Sequence, residues 1–391
     1  PVIPLSQRMH RTGGSATAAA MARAAAAKAA GRPVISLTTG EPDGPTPAHI
    51  RAAAIAAIEA GDTRYTAVDG TPRLKAAIAA RAEQSGITAR PDEIIASTGA
   101  KQCIYNALLA VIGSDDEVII PIPAWVSYID IVRLAGGRPV LVPGRAEAGF
   151  RPDIAEILAA ITPKTRAILL NSPSNPTGAV LPAGALETLA AGLRPDILLI
   201  ADDIYEHIVY DGVAHATPAA RRPDLRDQIL TVNGVSKAYA MTGWRLGYAI
   251  GPQHLIAAMR TLQSQSTTNP SSISQAAAIA ALEGGLETVV AQTETLRRRR
   301  DRLLDALSHA PALGLLRPEG AFYLWIDVSG LIGGRFDSEA AVVDALLEEA
   351  NLGVVGGAGF GLSPYIRLSF AAADSLLDEA AERLVRFAAT A

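Results

Sequence analysis

The sequence has few cysteines and few aromatic residues. Among 391 residues there is one cysteine, Cys103, and aromatic side chains make up 5% of the chain. A single cysteine excludes an internal disulfide and is typical of a reducing compartment, so we predict a cytoplasmic protein. Cys103 lies in an apolar stretch with a helical pattern, which favours a buried packing residue over a nucleophile.

A strong charge of one sign and long apolar runs are also missing. The formal net charge of -4 provides no basic face for a polyanion, so we predict no nucleic-acid partner. No apolar run approaches the roughly 18 residues of a membrane span, so we predict no membrane partner. The alanine-rich stretch 16–30 carries Arg23 and Lys28, which favours a helix over a signal peptide. No metal site is predicted.

Short runs that are apolar at successive positions alternate with helical patterns between about Asp92 and Gly251. Such runs are typical of strands that are buried on both faces, and the alternation predicts an α/β unit with a mainly parallel sheet. The clearest runs are 117–121, 166–171, 196–201 and 228–232. Ligands of such sheets bind at the carboxyl ends of the strands, and candidate polar residues follow these runs directly.

The pattern changes after about Gly284. A long charged helix is predicted over 294–307, followed by strands near 321–328 and 365–370 and a terminal helix from Asp374. This order predicts a second, smaller α+β unit.

The segment from Ser236 to Tyr248 places Lys237 after a predicted strand and Arg245 eight residues downstream. A lysine amine held out of water becomes a nucleophile toward aldehydes, and a guanidinium suits a phosphate. Pyridoxal phosphate is an aldehyde that carries a phosphate. The segment resembles the lysine signature of the fold type I pyridoxal phosphate aminotransferases of class I/II. The resemblance implies that Lys237 binds the cofactor aldehyde while Arg245 and Ser236 bind its phosphate.

Further motifs in the same order extend the resemblance to nearly the whole chain. An Asp-Asp-Ile-Tyr motif implies that Asp202 pairs with the cofactor ring nitrogen and Tyr205 with the ring hydroxyl oxygen, with Asp203 in a supporting role. The turn at 171–178 implies that Asn175 donates to the ring oxygen and the substrate carboxylate. Trp125, after a proline-fixed turn, is expected to stack on the ring.

The phosphate and the substrate carboxylate have candidate partners elsewhere. The Ser-Thr-Gly-Ala-Lys turn opens a predicted helix and resembles the family phosphate loop, with Gly99, Ala100 and Lys101 around the anion. In some aspartate-type members a lysine at this position meets the distal carboxylate of an acidic substrate, although an exposed surface lysine is an equal alternative for Lys101. Arg367 and Gly40 match the residues that hold the α-carboxylate.

The resemblance also implies an assembly and a division into domains. Tyr65 matches the tyrosine that crosses to the cofactor phosphate of a partner subunit, so we expect a homodimer with shared active sites. The fold implied is a large domain with a mainly parallel seven-stranded sheet, over 46–284, and a smaller α+β domain over 285–391. Residues 1–45 are expected to form an N-terminal arm and part of the small domain.

The activity implied is a ping-pong transfer of an amino group from an L-amino acid to a 2-oxo acid. The closest resemblance is to bacterial class I β aspartate aminotransferases, some of which accept prephenate, and it favours aspartate or glutamate as donor. Departures at Gly13, Gly14, Gly44 and Gly356 leave aromatic, alanine or other neutral donors open. A pyridoxal phosphate β-lyase would share every cofactor residue. A non-catalytic effector domain of a transcription regulator is the weakest alternative, since no DNA-binding domain accompanies it.

Overall fold

A computed structural model describes residues 2–390 of the chain. Within these residues the strands are β1 (Ile35–Ser36), β2 (Ile94–Ser97), β3 (Glu117–Ile122), β4 (Arg138–Pro143), β5 (Thr165–Asn171), β6 (Leu198–Asp202), β7 (Ile229–Gly234), β8 (Gly247–Ile250), β9 (Gly314–Leu315), β10 (Tyr323–Asp327), β11 (Leu352–Gly353), β12 (Val355–Gly356) and β13 (Tyr365–Ser369).

The helices lie between and beside these strands. They are α1 (Gln7–His10), α2 (Ala16–Ala29), α3 (Ala48–Glu59), α4 (Pro72–Gln84), α5 (Ala100–Val111), α6 (Ser127–Leu134), α7 (Ile154–Ala159), α8 (Ala183–Ala191), α9 (Pro218–Arg221), α10 (Gln253–Ser264), α11 (Ser272–Glu283), α12 (Glu287–Leu307), α13 (Glu339–Glu348) and α14 (Asp374–Ala389). None of the helices described is long and apolar enough to cross a membrane.

Seven strands form one sheet in the order β2-β8-β7-β6-β5-β3-β4. The pairs from β7 to β4 are parallel, and β8 alone runs antiparallel to both of its neighbours. The predicted α/β fold with a mainly parallel seven-stranded sheet is therefore confirmed.

Burial on both faces explains the continuous apolar runs of these strands. In β3, Val118 and Ile120 pack into the core that contains Cys103 of α5, whereas Ile119 points to the other face, toward Leu186 of α8. Side chains of a strand alternate between faces, so a sheet covered by helices on both sides needs apolar residues at successive positions.

A four-stranded antiparallel sheet, β12-β13-β10-β9, belongs to the C-terminal part of the chain. Residues of β10 and β13 share one hydrophobic core with α12 and α14, in agreement with the predicted α+β unit. The helix predicted over 294–307 begins seven residues earlier, at Glu287, because the chain turns helical directly after Gly284 and Gly285. The N-terminal strand β1 pairs in parallel with β11, which joins the start of the chain to this C-terminal part.

Candidate active site

A cavity of about 470 Å³ opens at the carboxyl ends of the parallel strands. Strands β5, β6 and β7 end beside it, and residues of β10 and β13 close its far side. Of the residues singled out from the sequence, the cavity wall contains Gly40, Ala100, Lys101, Trp125, Asn175, Asp202, Tyr205, Ser236, Lys237, Arg245 and Arg367. Segments far apart in the chain thus meet at one site.

Lys237 follows β7 and points into the cavity, where its Nζ donates to the carbonyl oxygen of Gly40 at 2.5 Å. Removal of the amine from water, together with the positive charges of Arg367 and Arg245, lowers the pKa of Lys237 to about 8. A neutral amine, which is the nucleophilic form, is therefore accessible near neutral pH.

Asp202 is the last residue of β6 and is 4% exposed. Its Oδ2 accepts a hydrogen bond from Tyr128 Oη at 2.5 Å, and its Oδ1 accepts one from the backbone N–H of Ile204 at 3.3 Å. Burial raises the pKa of this carboxyl to about 6, and the two hydrogen bonds oppose that rise. The group remains an acceptor for a protonated ring nitrogen at neutral pH.

Tyr205 is buried three residues after Asp202, and its hydroxyl bonds to the hydroxyl of Tyr323 at 2.7 Å. Burial raises the pKa of both phenols, so both stay protonated and able to donate. The Lys237 amine lies 6.0 Å from the centre of the Tyr205 ring. The phenol and the amine therefore line the same part of the cavity.

Arg367 lies in the middle of β13 and is 1% exposed. Its two terminal nitrogens donate to Asn175 Oδ1 at 2.9 Å and to the carbonyl oxygen of Thr38 at 2.6 Å. Both acceptors are neutral, Nε has no partner, and within residues 2–390 no carboxylate lies within salt-bridge distance. A buried guanidinium without a counter-ion is costly, so this one is suited to a carboxylate that enters the cavity.

An anion cradle forms where α5 begins. The first N–H groups of α5 have no acceptor inside the helix, and Gly99 precedes them with a φ of 86°. A β-carbon on Gly99 would lie 2.5 Å from Arg245 Nη2, and one on Gly247 would lie 2.1 Å from the amide nitrogen of Ala100. Glycine is required at both positions because guanidinium and backbone approach so closely.

Trp125 lies beside this cradle. The Trp125 ring meets the Tyr128 ring edge-on, with 5.3 Å between the two ring centres. The Lys101 amine lies 4.7 Å from the centre of the Trp125 ring. Burial and the nearby Arg245 charge lower the pKa of Lys101. The Trp125 indole thus contacts the Tyr128 ring and the Lys101 amine.

The comparisons with known proteins agree with this geometry. A family model described as aminotransferase class I and II matches residues 32–384. The chain belongs to this family.

Individual members are similar over almost their full length. An aspartate/prephenate aminotransferase of Cereibacter sphaeroides is 48% identical, with 98% of each chain covered. The crystal structure of an aspartate aminotransferase from Rhizobium meliloti has a TM-score of 0.96 at 46% identity, with 99% of each chain covered. An aspartate aminotransferase from Thermus thermophilus with maleate has a TM-score of 0.93 at 41% identity, covering 99% of this chain and 100% of that one.

This aminotransferase uses pyridoxal phosphate, as members of the class do, and its residues fit that cofactor. The cradle at α5 offers free N–H groups and Arg245 to a phosphate. Asp202 offers an anionic acceptor for a ring nitrogen, and Lys237 offers an amine for the aldehyde. No group of three or more metal-binding side chains occurs in the described part of the chain.

Some residues that the sequence singled out lie outside the cavity wall. Tyr65 is 89% exposed. Asp203 is buried behind Asp202, with its Oδ2 3.6 Å from His215 Nε2. At Gly356 a β-carbon would meet Glu339 Oε1 at 2.7 Å, so this position borders a buried carboxylate and not the cavity.

Two cavity residues, Tyr128 and Tyr323, were not singled out from the sequence. Tyr128 contacts Asp202, and the ring of Tyr323 lies 4.4 Å beneath the Arg367 guanidinium. Tyr128 follows Trp125 by three residues, and this closeness to the predicted stacking residue is a signal in the sequence that could have pointed to it.

Proposed function

We propose that this aminotransferase moves the amino group of L-aspartate or L-glutamate to a 2-oxo acid by a ping-pong mechanism. The observation that carries the proposal is a pair of cations at the cavity, Arg367 and Lys101, neither of which has a carboxylate partner within residues 2–390. A donor with two carboxylates satisfies both. The printed names of the relatives, aspartate and aspartate/prephenate aminotransferase, support the same class of donor.

The charge of the cavity wall supports anionic ligands. Basic side chains outnumber acidic ones: Lys101, Lys237, Arg245 and Arg367 against Glu41 and Asp202. A phosphate and a dicarboxylate would compensate this excess, whereas a neutral donor would leave the Lys101 amine unpaired.

The chemistry divides among these residues. Pyridoxal phosphate, when bound, supplies an electron sink for the electrons left on the substrate α-carbon. We assign Arg367 and Asn175 to hold the α-carboxylate, which orients the α-hydrogen toward Lys237. Lys237, whose pKa of about 8 leaves part of the amine neutral at neutral pH, would take the α-proton from the substrate and hold it for return. With the cofactor bound, Asp202 would accept from the ring nitrogen, Tyr205 would donate to the ring oxygen, and Trp125 would shield the ring from water.

The proposed donor is tested by titrating the cofactor-loaded enzyme with single amino acids and following the absorbance of the bound cofactor. Aspartate and glutamate should convert it at concentrations at which alanine and phenylalanine do not. Equal conversion by neutral donors would contradict the acidic preference. Release of ammonia and pyruvate without an oxo-acid acceptor would indicate a β-lyase instead.

Replacing Lys101 by methionine tests which end of the donor this amine meets. We expect the KM for aspartate to rise about tenfold, the cost of one charge-assisted hydrogen bond, with the KM for alanine nearly unchanged. Steady-state kinetics with both donors measures the difference. Lys164, exposed and remote from the cavity, provides the matched control as Lys164→Met. An equal loss for both donors would assign Lys101 to the phosphate alone.

A second cavity supports prephenate as a further substrate. It measures about 430 Å³ and shares Ser15, Lys101, Ser127 and Arg245 with the first. Gly13 lies on its wall, where a β-carbon would still be 3.8 Å from Asp130 Oδ2. The missing side chain at Gly13 therefore leaves room for a substrate larger than aspartate.

We infer that two chains associate and share their active sites. Large apolar side chains near the N-terminus and on α3 stand exposed in one chain, namely Val2, Ile3, Leu5, Met9, Ile55 and Ile58. Tyr65 is also exposed and is not among the residues that line the cavity of its own chain. Exposed apolar side chains of this size favour an interface between copies. The cytoplasmic location stays a prediction.

Mixed dimers test the sharing directly. A Tyr65→Ala chain paired with a Lys237→Ala chain should hold one intact site, giving about half the wild-type turnover per dimer at a cofactor concentration that does not saturate Tyr65→Ala homodimers. A chain that carries both changes, paired with an unchanged chain, should hold none. The opposite result for the two mixtures would place Tyr65 in its own chain's site.

We also propose the division into a large domain over 46–284 and a small domain formed by 1–45 and 285–391. The pairing of β1 with β11 supports a small domain built from both ends of the chain.

A further inference from the structure

Tyr128 lies at the second position of α6 and is 1% exposed. Its hydroxyl donates to Asp202 Oδ2 at 2.5 Å, between residues that are 74 positions apart in the chain. Its ring edge contacts Trp125, with ring planes at 84°. One side chain therefore contacts both the acid assigned to the ring nitrogen and the indole assigned to the ring face.

The hydrogen bonds of Asp202 leave a defined place for the cofactor. Tyr128 occupies one site on Oδ2 and the Ile204 amide one site on Oδ1. A carboxylate has about four lone-pair sites, so acceptor capacity remains on the side that faces the cavity. Without the hydroxyl, the 3.3 Å contact from Ile204 would be the one hydrogen bond left to the carboxylate among the described residues.

The hydrogen bond that Tyr128 donates affects the pKa of Asp202. Burial raises the pKa of Asp202, and the bond from Tyr128 acts against that rise because it stabilises the ionised carboxylate. Burial and the neighbouring carboxylates raise the pKa of Tyr128 well above its ordinary value. The phenol therefore keeps its proton and remains the donor over the range in which enzymes work.

We propose that Tyr128 is a positioning residue that orients Asp202 toward the cofactor ring nitrogen. The inference rests on the proposed role of Asp202 and goes beyond it, since it assigns the orientation of the Asp202 carboxylate to a residue of α6. Tyr128 acts through Asp202 and does not itself meet the substrate, so its loss should affect cofactor binding and kcat and leave the substrate KM nearly unchanged.

The change Tyr128→Phe removes the hydroxyl and keeps the ring against Trp125. We expect the dissociation constant of pyridoxal phosphate, measured by titrating the apoenzyme, to rise about tenfold, as for loss of one hydrogen bond to a charged group. We expect kcat to fall by a similar factor and the KM for aspartate to stay within about twofold. Wild-type values of both the dissociation constant and kcat would overturn the proposal.

A double-mutant cycle shows whether the effect passes through Asp202. In an Asp202→Asn background, adding Tyr128→Phe should change the cofactor dissociation constant less than about twofold. A full tenfold penalty in that background would overturn the proposed route. Tyr210→Phe is the matched control, because Tyr210 is a buried tyrosine whose hydroxyl bonds to the Ala321 carbonyl outside the cavity. It should leave cofactor affinity unchanged.

The same variants separate two kinds of failure. If Asp202→Asn loses cofactor affinity and Tyr128→Phe does not, the inference about Tyr128 is wrong and the proposed site stands. If Asp202→Asn keeps both wild-type affinity and wild-type kcat, the assignment of Asp202 itself is wrong, and the role of Tyr128 is wrong with it.

Discussion

The change Lys237→Ala should lower kcat by about four orders of magnitude or more, the largest effect expected of any single substitution in this chain. The substitution removes one amine that has two proposed roles, to attach the cofactor and to move the α-proton. Lys101 is the other lysine that lines the cavity in the described part of the chain, and its amine lies against Trp125. Steady-state turnover with aspartate and a 2-oxo acid measures the loss, and Lys164→Ala, remote from the cavity, provides the control.

The ionisation of Lys237 provides a second test of its role, through the pH dependence of cofactor capture. Burial lowers its pKa to about 8, so the neutral form is gained as the pH rises through 8 and lost below it. The rate at which the wild-type apoenzyme captures pyridoxal phosphate should therefore rise about tenfold per pH unit below 8 and level off above it. A rate that still climbs above pH 10 would mean that the amine is an ordinary exposed lysine. Retained turnover in Lys237→Ala would remove it from the mechanism.

The fold and the residues at strand ends could be predicted from the sequence because the signals are local. Continuous apolar runs predicted the buried strands, since a sheet covered on both faces tolerates no alternation. Lys237 and Asp202 follow β7 and β6 directly, and the carboxyl ends of parallel strands meet at one edge of a sheet. The order of motifs then added the cofactor that such a cluster holds.

The contacts made between distant segments could not be predicted in this way. Arg367 donates to Thr38, 329 positions away, and Tyr128 donates to Asp202, 74 positions away across β4, α7, β5 and α8. Both contacts depend on how elements pack after they form, which no local pattern records. Tyr65 shows a second limit, because its proposed role depends on a second chain and its side chain is exposed in a single one.

Two parts of the fold therefore contribute residues to the cavity. In the proposed site, strand ends supply the groups for the cofactor, and the small antiparallel sheet supplies Arg367 for the substrate. The two sets touch through Asn175, which accepts from Arg367 and follows β5. A substrate carboxylate bound at Arg367 thus bridges the two parts of the fold, which is why substrate binding and catalysis are expected to depend on the same arginine.

The change Arg367→Lys should lower kcat/KM for aspartate about a hundredfold, or about 2.8 kcal/mol of transition-state binding. Lysine keeps the charge, but it lacks the planar guanidinium that lets Arg367 donate to Asn175, to Thr38 and to a substrate carboxylate at the same time. Because amino acid and oxo acid both carry the α-carboxylate, the two half-reactions should suffer equally. Single-turnover kinetics of each half-reaction measures this.

Arg317→Lys, at an exposed arginine outside the cavity, controls for the substitution itself and should leave both half-reactions unchanged. An amine donor that lacks the α-carboxylate provides the decisive comparison. Its slow reaction should be nearly the same in wild type and Arg367→Lys, since the lost contact is one that this donor never makes. An equal loss for aspartate and for this donor would mean that Arg367 supports the cavity wall through Tyr323 and Phe360 and does not bind the substrate carboxylate.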